Sequence, residues 1–110
     1  MRKDSYEFLK TLTETPSPSG FEQNIQKVIR NQMKPLADSM ETDLHGNLIV
    51  ALNPKGNPRV MLAGHCDQIG LMANYIDDNG YIFVLPIGGV DPSVLPGTRV
   101  VVHTRHGPVQ

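Results

Sequence analysis

The sequence lacks the features on which several protein classes depend. Its 110 residues contain no tryptophan and one cysteine, which excludes a small domain held together by internal disulfides. No apolar run approaches the roughly 20 residues needed to cross a bilayer, and Met1 is not followed by an apolar signal region. Ten basic and eleven acidic residues give a formal net charge of −1, without a basic patch for nucleic acid. We therefore predict a cytoplasmic protein that binds neither nucleic acid nor membrane.

The first third of the chain is patterned for helices. Two capping-box patterns precede apolar residues at helical spacing: Asp4 with Glu7, and Ser19 with Glu22. They predict one helix over about residues 4–14, ended by two prolines, and a second that follows the Ser19 cap, includes Phe21 and runs to about Lys34. The apolar stripes of both helices predict core faces rather than surfaces for a partner.

Beyond residue 40 the apolar period becomes that of strands. Residues 40–44 and 48–52 flank a His-Gly-Asn turn, and residues 69–76 and 81–85 flank the sequence Asp-Asp-Asn-Gly. Alternating apolar residues on either side of such turns predict two β-hairpins.

The last quarter of the chain is punctuated by proline and glycine. Residues 86–97 contain three of each, which predicts an irregular connector, and residues 99–104 return to a strand pattern. The next turn takes residues 105–108, and the arm of two residues that follows it is too short to pair as a strand. We therefore expect the chain to be the front of a longer protein.

An apolar run that stops at a histidine carries the clearest chemical signal. Residues 60–63 predict a fully buried strand, and ligands of open α/β sheets bind just beyond the carboxyl ends of such strands. His65 and Asp67 fall there, and residues two apart on an extended chain project to the same side. A zinc-type ion takes one imidazole nitrogen while the other donates to a carboxylate, so His65 is a candidate ligand and Asp67 its support. A purely structural histidine–aspartate hydrogen bond fits the same spacing, and Cys66 between them fits a small packed residue better than a nucleophile.

Four landmarks in the same order resemble the M42 family of metallo-aminopeptidases. The similarity lies in the Pro-Ser-Gly-x-Glu loop at residues 15–22, the Asp-x-x-Gly-Asn turn at 43–48, the histidine segment at 63–71 and the Gly-Gly-x-Asp connector at 88–97. The chain departs from the family pattern at Gln68, where an acid is frequent, and at Val90, where an aromatic residue is frequent. Neither departure removes a ligand.

The resemblance implies a dinuclear aminopeptidase that hydrolyses N-terminal residues from peptide substrates. In that family His65 matches a ligand of one of two zinc or cobalt ions, and Asp67 matches the catalytic aspartate that holds this histidine. The glutamate pair and the other ligands have no matching position in these residues. We therefore expect the isolated chain to be catalytically inactive and to bind metal weakly or not at all.

The resemblance also implies an α/β fold in two parts. Residues 1–70 match the N-terminal part of a zinc-peptidase-type catalytic domain, with two helices followed by strands of a mixed sheet. Residues 71–110 match the beginning of an inserted β-barrel-like domain used for dimerisation. A homo-oligomer, a dimer that builds to a dodecamer, is therefore expected of the full-length family member.

Two other interpretations fit the same residues. One is a related two-metal amidase or dipeptidase, which shares the His-x-Asp logic but which the Gly-Gly-x-Asp connector disfavours. The other is a β-rich assembly module without a metal, in which His65 and Asp67 form only a structural hydrogen bond.

Overall fold

Two helices and three β-hairpins make up the chain. The computed structural model describes all residues, 1–110, as a mixed α/β arrangement. Its elements are α1 (Lys3–Glu14), α2 (Gln23–Met33), β1 (Ser39–Thr42), β2 (Leu48–Ala51), β3 (Gly70–Ile76), β4 (Ile82–Ile87), a 3-10 turn (Pro92–Val94), β5 (Val102–Thr104) and β6 (Gly107–Val109). Neither helix combines the length and the apolar character that a membrane span requires.

The extent of α1 is as predicted, but α2 begins at Gln23, later than a cap at Ser19 predicts, and neither capping box forms. The residue before α1 is Arg2, which gives no side-chain cap, and the Asp4 carboxylate accepts a hydrogen bond from the Ser5 N–H instead. At α2 the Glu22 carboxylate accepts from the Gly20 N–H at 2.7 Å, while the Ser19 hydroxyl bonds a carboxylate far along the sequence. A hydroxyl bond to a charged acceptor is stronger than one with a neutral amide, which explains the different partner.

Both predicted hairpins are confirmed. β1 pairs with β2 and β3 with β4, in each case antiparallel. Asp43 and Asp77 begin the two turns, and each carboxylate accepts hydrogen bonds from two backbone N–H groups at 2.8–3.0 Å. Aspartate turns of this kind close the chain locally, so short-range sequence was sufficient to predict them.

The predicted absence of a return strand near the end of the chain is wrong. β6 pairs with β5 over three residues, from Thr104 opposite Gly107 to Val102 opposite Val109. The tight turn at residues 105–106 lets pairing begin at Gly107, and the Thr104 hydroxyl donates to the Gly107 carbonyl at 2.7 Å. The arm therefore has three residues rather than two.

The connector is also more regular than predicted. β4 continues through Pro86, which is tolerated because a two-stranded sheet leaves one side of each strand unpaired. Further along, the Asp91 side chain accepts from the Ser93 N–H at 2.9 Å and caps the 3-10 turn.

The predicted buried strand at residues 60–63 is wrong for this chain. No β-ladder includes these residues, and Val60, Met61 and Leu62 are 79%, 87% and 94% exposed. A strand buried on both faces needs neighbouring strands and covering helices, and no element of this chain supplies them. For the same reason the mixed sheet is replaced by three separate antiparallel pairs and one parallel bridge between Pro18 and Gln68.

Little of the chain is fully buried. Ile25 on α2 is 2% exposed and Ser17, in the loop between the helices, is 0% exposed; no other residue is buried. β3–β4 and β5–β6 share no ladder, so these residues do not close into a barrel. The division of the chain at residue 70 stays a prediction.

Candidate metal-ligand site

The loop between α1 and α2 lies against the segment that follows His65. Ser17 Oγ donates to the Cys66 carbonyl at 2.9 Å, and the Gln68 N–H donates to the Ser17 carbonyl at 2.8 Å. The Ser19 N–H donates to the Gln68 carbonyl at 3.2 Å, and Ser19 Oγ donates to Asp67 Oδ2 at 2.6 Å. We call these four hydrogen bonds between residues 17–19 and 66–68 the serine clamp.

The alternation of serine and proline explains why this loop can form the clamp. The ring of each proline fixes φ and disfavours helix in the residue before it, so residues 15–18 stay out of α1. In an extended segment, backbone groups of alternate residues point to the same side, and both Ser17 and Ser19 face residues 66–68. Pro18 lies between them, where its missing N–H leaves the bridge intact.

A glycine permits the close approach of the two segments. A Cβ atom on Gly70 would lie 2.7 Å from Cβ of Pro18, which is closer than two such carbons can approach. Gly64, on the other side of His65, has no atom within 4 Å of the equivalent position. The close contact with Pro18 therefore requires a glycine at position 70, whereas no contact requires one at position 64.

The structure brings His65 and Asp67 together. His65 Nδ1 lies 2.8 Å from Asp67 Oδ1, so the two side chains project to one side as their spacing predicts. The His65 side chain is 86% exposed, and the Asp67 side chain is 37% exposed. When Nδ1 carries the proton that Asp67 accepts, the lone pair of Nε2 is free for a ligand.

Both oxygens of the Asp67 carboxylate accept hydrogen bonds. Ser19 bonds Oδ2 and His65 bonds Oδ1. The Ser19 hydroxyl, and then His65, lower the pKa of Asp67 below its ordinary value of 3.8. Asp67 is therefore ionised at neutral pH and acts only as an acceptor.

Cys66 faces a different environment from its two neighbours. Its Sγ accepts from Gln26 Nε2 of α2 at 3.6 Å, and the residue is half-buried. Burial, and after it the carboxylates of Asp67 and Glu22, raise the pKa of the Cys66 thiol above 9.0. The thiol stays protonated at neutral pH, which favours the packing interpretation over a nucleophile.

The described residues fit one ligand position of a metal centre and no more. Nowhere in residues 1–110 do three or more His, Cys, Asp or Glu side chains come together to hold an ion. Of the other histidines, His103 packs its ring against Phe21, with 5.8 Å between centroids, and His45 lies exposed in the β1–β2 turn. Neither approaches His65 as a second ligand.

Sequence reasoning missed Ser19. Its position three residues before Glu22 suggested a capping box, whereas its hydroxyl bonds Asp67, 48 positions later. The pattern Ser-Pro-Ser before a glycine offered a signal, because it excludes helix and leaves two hydroxyls on an extended segment.

Residues 46–110 match the family model described as M42 glutamyl aminopeptidase. The chain belongs to the M42 family. It is 40% identical over 104 residues to the lysyl aminopeptidase of Pyrococcus furiosus, an alignment that covers 93% of this chain and 30% of that protein. It is 35% identical over 77 residues, 69% of this chain and 22% of the relative, to a putative [LysW]-lysine/[LysW]-ornithine hydrolase of Thermococcus kodakarensis.

A solved structure agrees with this assignment. The crystal structure of a TET aminopeptidase from a Thaumarchaeota archaeon of marine sediment superposes with a TM-score of 0.90 at 37% identity. The match covers 96% of this M42 chain and 30% of that one. The chain thus spans about 30% of the length of these two aminopeptidases.

Substitution of Gly70 should lower the free energy of unfolding, whereas substitution of Gly64 should leave it nearly unchanged. Gly70→Ala places a methyl group against the rigid ring of Pro18, and overpacking of this kind costs about 1–3 kcal/mol of unfolding free energy. Gly64→Ala, the matched control, meets no atom and should change that free energy by less than about 0.5 kcal/mol. Urea denaturation of both variants measures the difference, and equal effects would contradict the close approach.

The Asp67 carboxyl should titrate below its ordinary value. Because folding lowers its pKa, ionised Asp67 stabilises the folded chain above pH 3.8, and this contribution disappears as the pH falls through the lower folded pKa. Carbon-13 NMR of the carboxyl should give a midpoint below 3.8 in the unsubstituted chain. Ser19→Ala should raise that midpoint, since Ser19 is the largest cause of the shift. A midpoint at or above 3.8 in the unsubstituted chain would refute the hydrogen-bonded geometry.

Proposed function

We propose that residues 1–110 form the front of an aminopeptidase that hydrolyses N-terminal residues from peptides at a centre of two divalent metal ions. The observation that carries the proposal is the 2.8 Å contact between His65 Nδ1 and Asp67 Oδ1, which leaves Nε2 of an exposed imidazole free. Membership of the M42 family and the similarity to aminopeptidases over nearly the whole chain support the reaction class.

Each of the two side chains has a distinct role in this proposal. His65 would hold one ion through Nε2, and Asp67 would fix the tautomer and the orientation of its ring. When bound, two such ions lower the pKa of a water molecule and polarise the scissile carbonyl. The residues of this chain contribute orientation of one ligand, since no further ligand of the centre lies among them.

The finer assignments extend the same proposal. The ions are zinc or cobalt, residues 1–70 belong to the catalytic domain, and residues 71–110 begin an inserted β-barrel-like domain. That domain would join two subunits in a dimer, which builds to a dodecamer in the cytoplasm. The hairpins at residues 70–87 and 102–109 pair with no other strand. They support the assignment of residues 71–110 to a β-barrel-like domain, because each has an open edge to which further strands could pair.

A second candidate is a related two-metal amidase or dipeptidase that acts on acylated amino acids. The similarity to the hydrolase of Thermococcus kodakarensis favours it, and the His-x-Asp arrangement serves both reactions. The higher identity and longer alignment with the lysyl aminopeptidase favour the peptidase.

A hybrid enzyme tests the proposal. These 110 residues replace the matching third of the Pyrococcus furiosus lysyl aminopeptidase, and metal content is measured together with activity on aminoacyl p-nitroanilides and on N-acyl lysine. His65→Ala should remove one ion per chain and reduce peptidase activity on the order of 100-fold or more. Asp67→Ala should reduce metal affinity or activity by about 10- to 100-fold.

The matched control for the hybrid is His45→Ala, because His45 is exposed in the β1–β2 turn and joins no group of metal-ligating side chains. It should leave metal content and activity unchanged. An unchanged metal content in His65→Ala would contradict the ligand role, whether or not the hybrid is active. Hydrolysis of the acylated lysine alone would favour the amidase.

A further inference from the structure

We propose that Ser19 is a positioning residue for His65 and acts through Asp67; its relevance to catalysis rests on the proposed function. A continuous line of hydrogen bonds joins the three side chains. Ser19 Oγ donates to Asp67 Oδ2 at 2.6 Å, and Asp67 Oδ1 lies 2.8 Å from His65 Nδ1.

The Asp67 carboxylate needs a second contact to hold its orientation. Rotation about the terminal torsion of an aspartate is broad, so one hydrogen bond leaves the carboxylate plane loosely defined. More than a third of the side chain is exposed, and water competes for both oxygens. A donor on Oδ2 therefore selects the rotation in which Oδ1 faces the imidazole.

Ser19 is itself held in place by the backbone. Its N–H donates to the Gln68 carbonyl at 3.2 Å, one residue beyond the aspartate that it bonds. Two positions earlier, Ser17 is completely buried and bonds the Cys66 carbonyl at 2.9 Å. The hydroxyl of Ser19 thus projects from a segment that is attached on both sides of Asp67.

The alternative role for Ser19, as the cap of α2, does not fit the contacts. The residue before α2 is Glu22, and no side chain caps the helix. The Glu22 carboxylate bonds the Gly20 N–H, whereas the hydroxyl of Ser19 bonds only the carboxylate of Asp67.

The consequence of this line of contacts is control of the histidine tautomer. An ionised carboxylate only accepts, so an ordered Asp67 requires the proton of neutral His65 on Nδ1 and leaves the lone pair on Nε2. A free imidazole in water favours the opposite tautomer. Loss of the Ser19 hydroxyl should therefore shift His65 toward the form whose exposed nitrogen cannot bind a metal.

Nitrogen-15 NMR of the histidine rings tests the inference in the metal-free 110-residue chain. Spectra are recorded at a mildly alkaline pH, and the His65 signals are assigned from their loss in His65→Gln. Ser19→Ala should lower the ratio of the Nδ1–H to the Nε2–H tautomer by roughly threefold or more, as expected for loss of one charge-assisted hydrogen bond. Ser19→Thr keeps the hydroxyl and should retain the ratio.

Ser39→Ala is the matched control, because Ser39 is exposed at the start of β1. Ser19 is also exposed, so removal of its oxygen leaves the fold intact, which the backbone amide shifts of α2 verify. An unchanged ratio in Ser19→Ala, or an equal fall in Ser39→Ala, would overturn the inference. The tautomer is independent of peptidase activity, so an inactive hybrid with a normal tautomer response would end the proposed function alone.

Discussion

The hydrogen bonds of the serine clamp are the constraint on which the candidate site depends. They join residues 48 to 51 positions apart in the sequence, one segment from the helical front and one from the chain between the first two hairpins. Ser17 brings the backbones together, and Ser19 reaches the side chain of Asp67. The orientation of His65 is therefore set by a loop that precedes it by more than forty residues.

This constraint matters because the chain has little other tertiary packing near the site. Only Ile25 and Ser17 are buried, and the apolar side chains just before His65 are almost fully exposed. Apolar burial supplies most of the stability of ordinary domains. In this chain, hydrogen bonds therefore contribute a larger fraction of the stability near the site. A close backbone approach at Gly70 is the structural condition for them.

The sequence predicted what local patterns determine. The helices followed from apolar spacing, and the hairpins followed from alternating apolar residues on either side of a His-Gly-Asn turn and an Asp-Asp-Asn-Gly turn. The strand at residues 60–63 was wrong, because burial depends on neighbours that a local pattern cannot supply. The partner of Ser19 was missed for a related reason. Its hydroxyl bonds the Asp67 carboxylate, 48 positions away, instead of forming the capping box with Glu22.

The His65–Asp67 contact followed from the two-residue spacing, whereas membership of the M42 family rests on the match over residues 46–110 and on similarity to aminopeptidases. The serine clamp gives a physical reason why the loop at residues 17–19 and the segment at residues 66–68 belong to one structural unit. Within that unit, the contribution of this chain is to present one oriented imidazole.

Amide hydrogen exchange measures the serine clamp most directly. The Gln68 N–H bonds the Ser17 carbonyl at 2.8 Å, whereas Leu62 lies in no ladder and is almost fully exposed. After correction for intrinsic rates, exchange at Gln68 should be at least about tenfold slower than at Leu62. Equal corrected rates at the two amides would contradict the account.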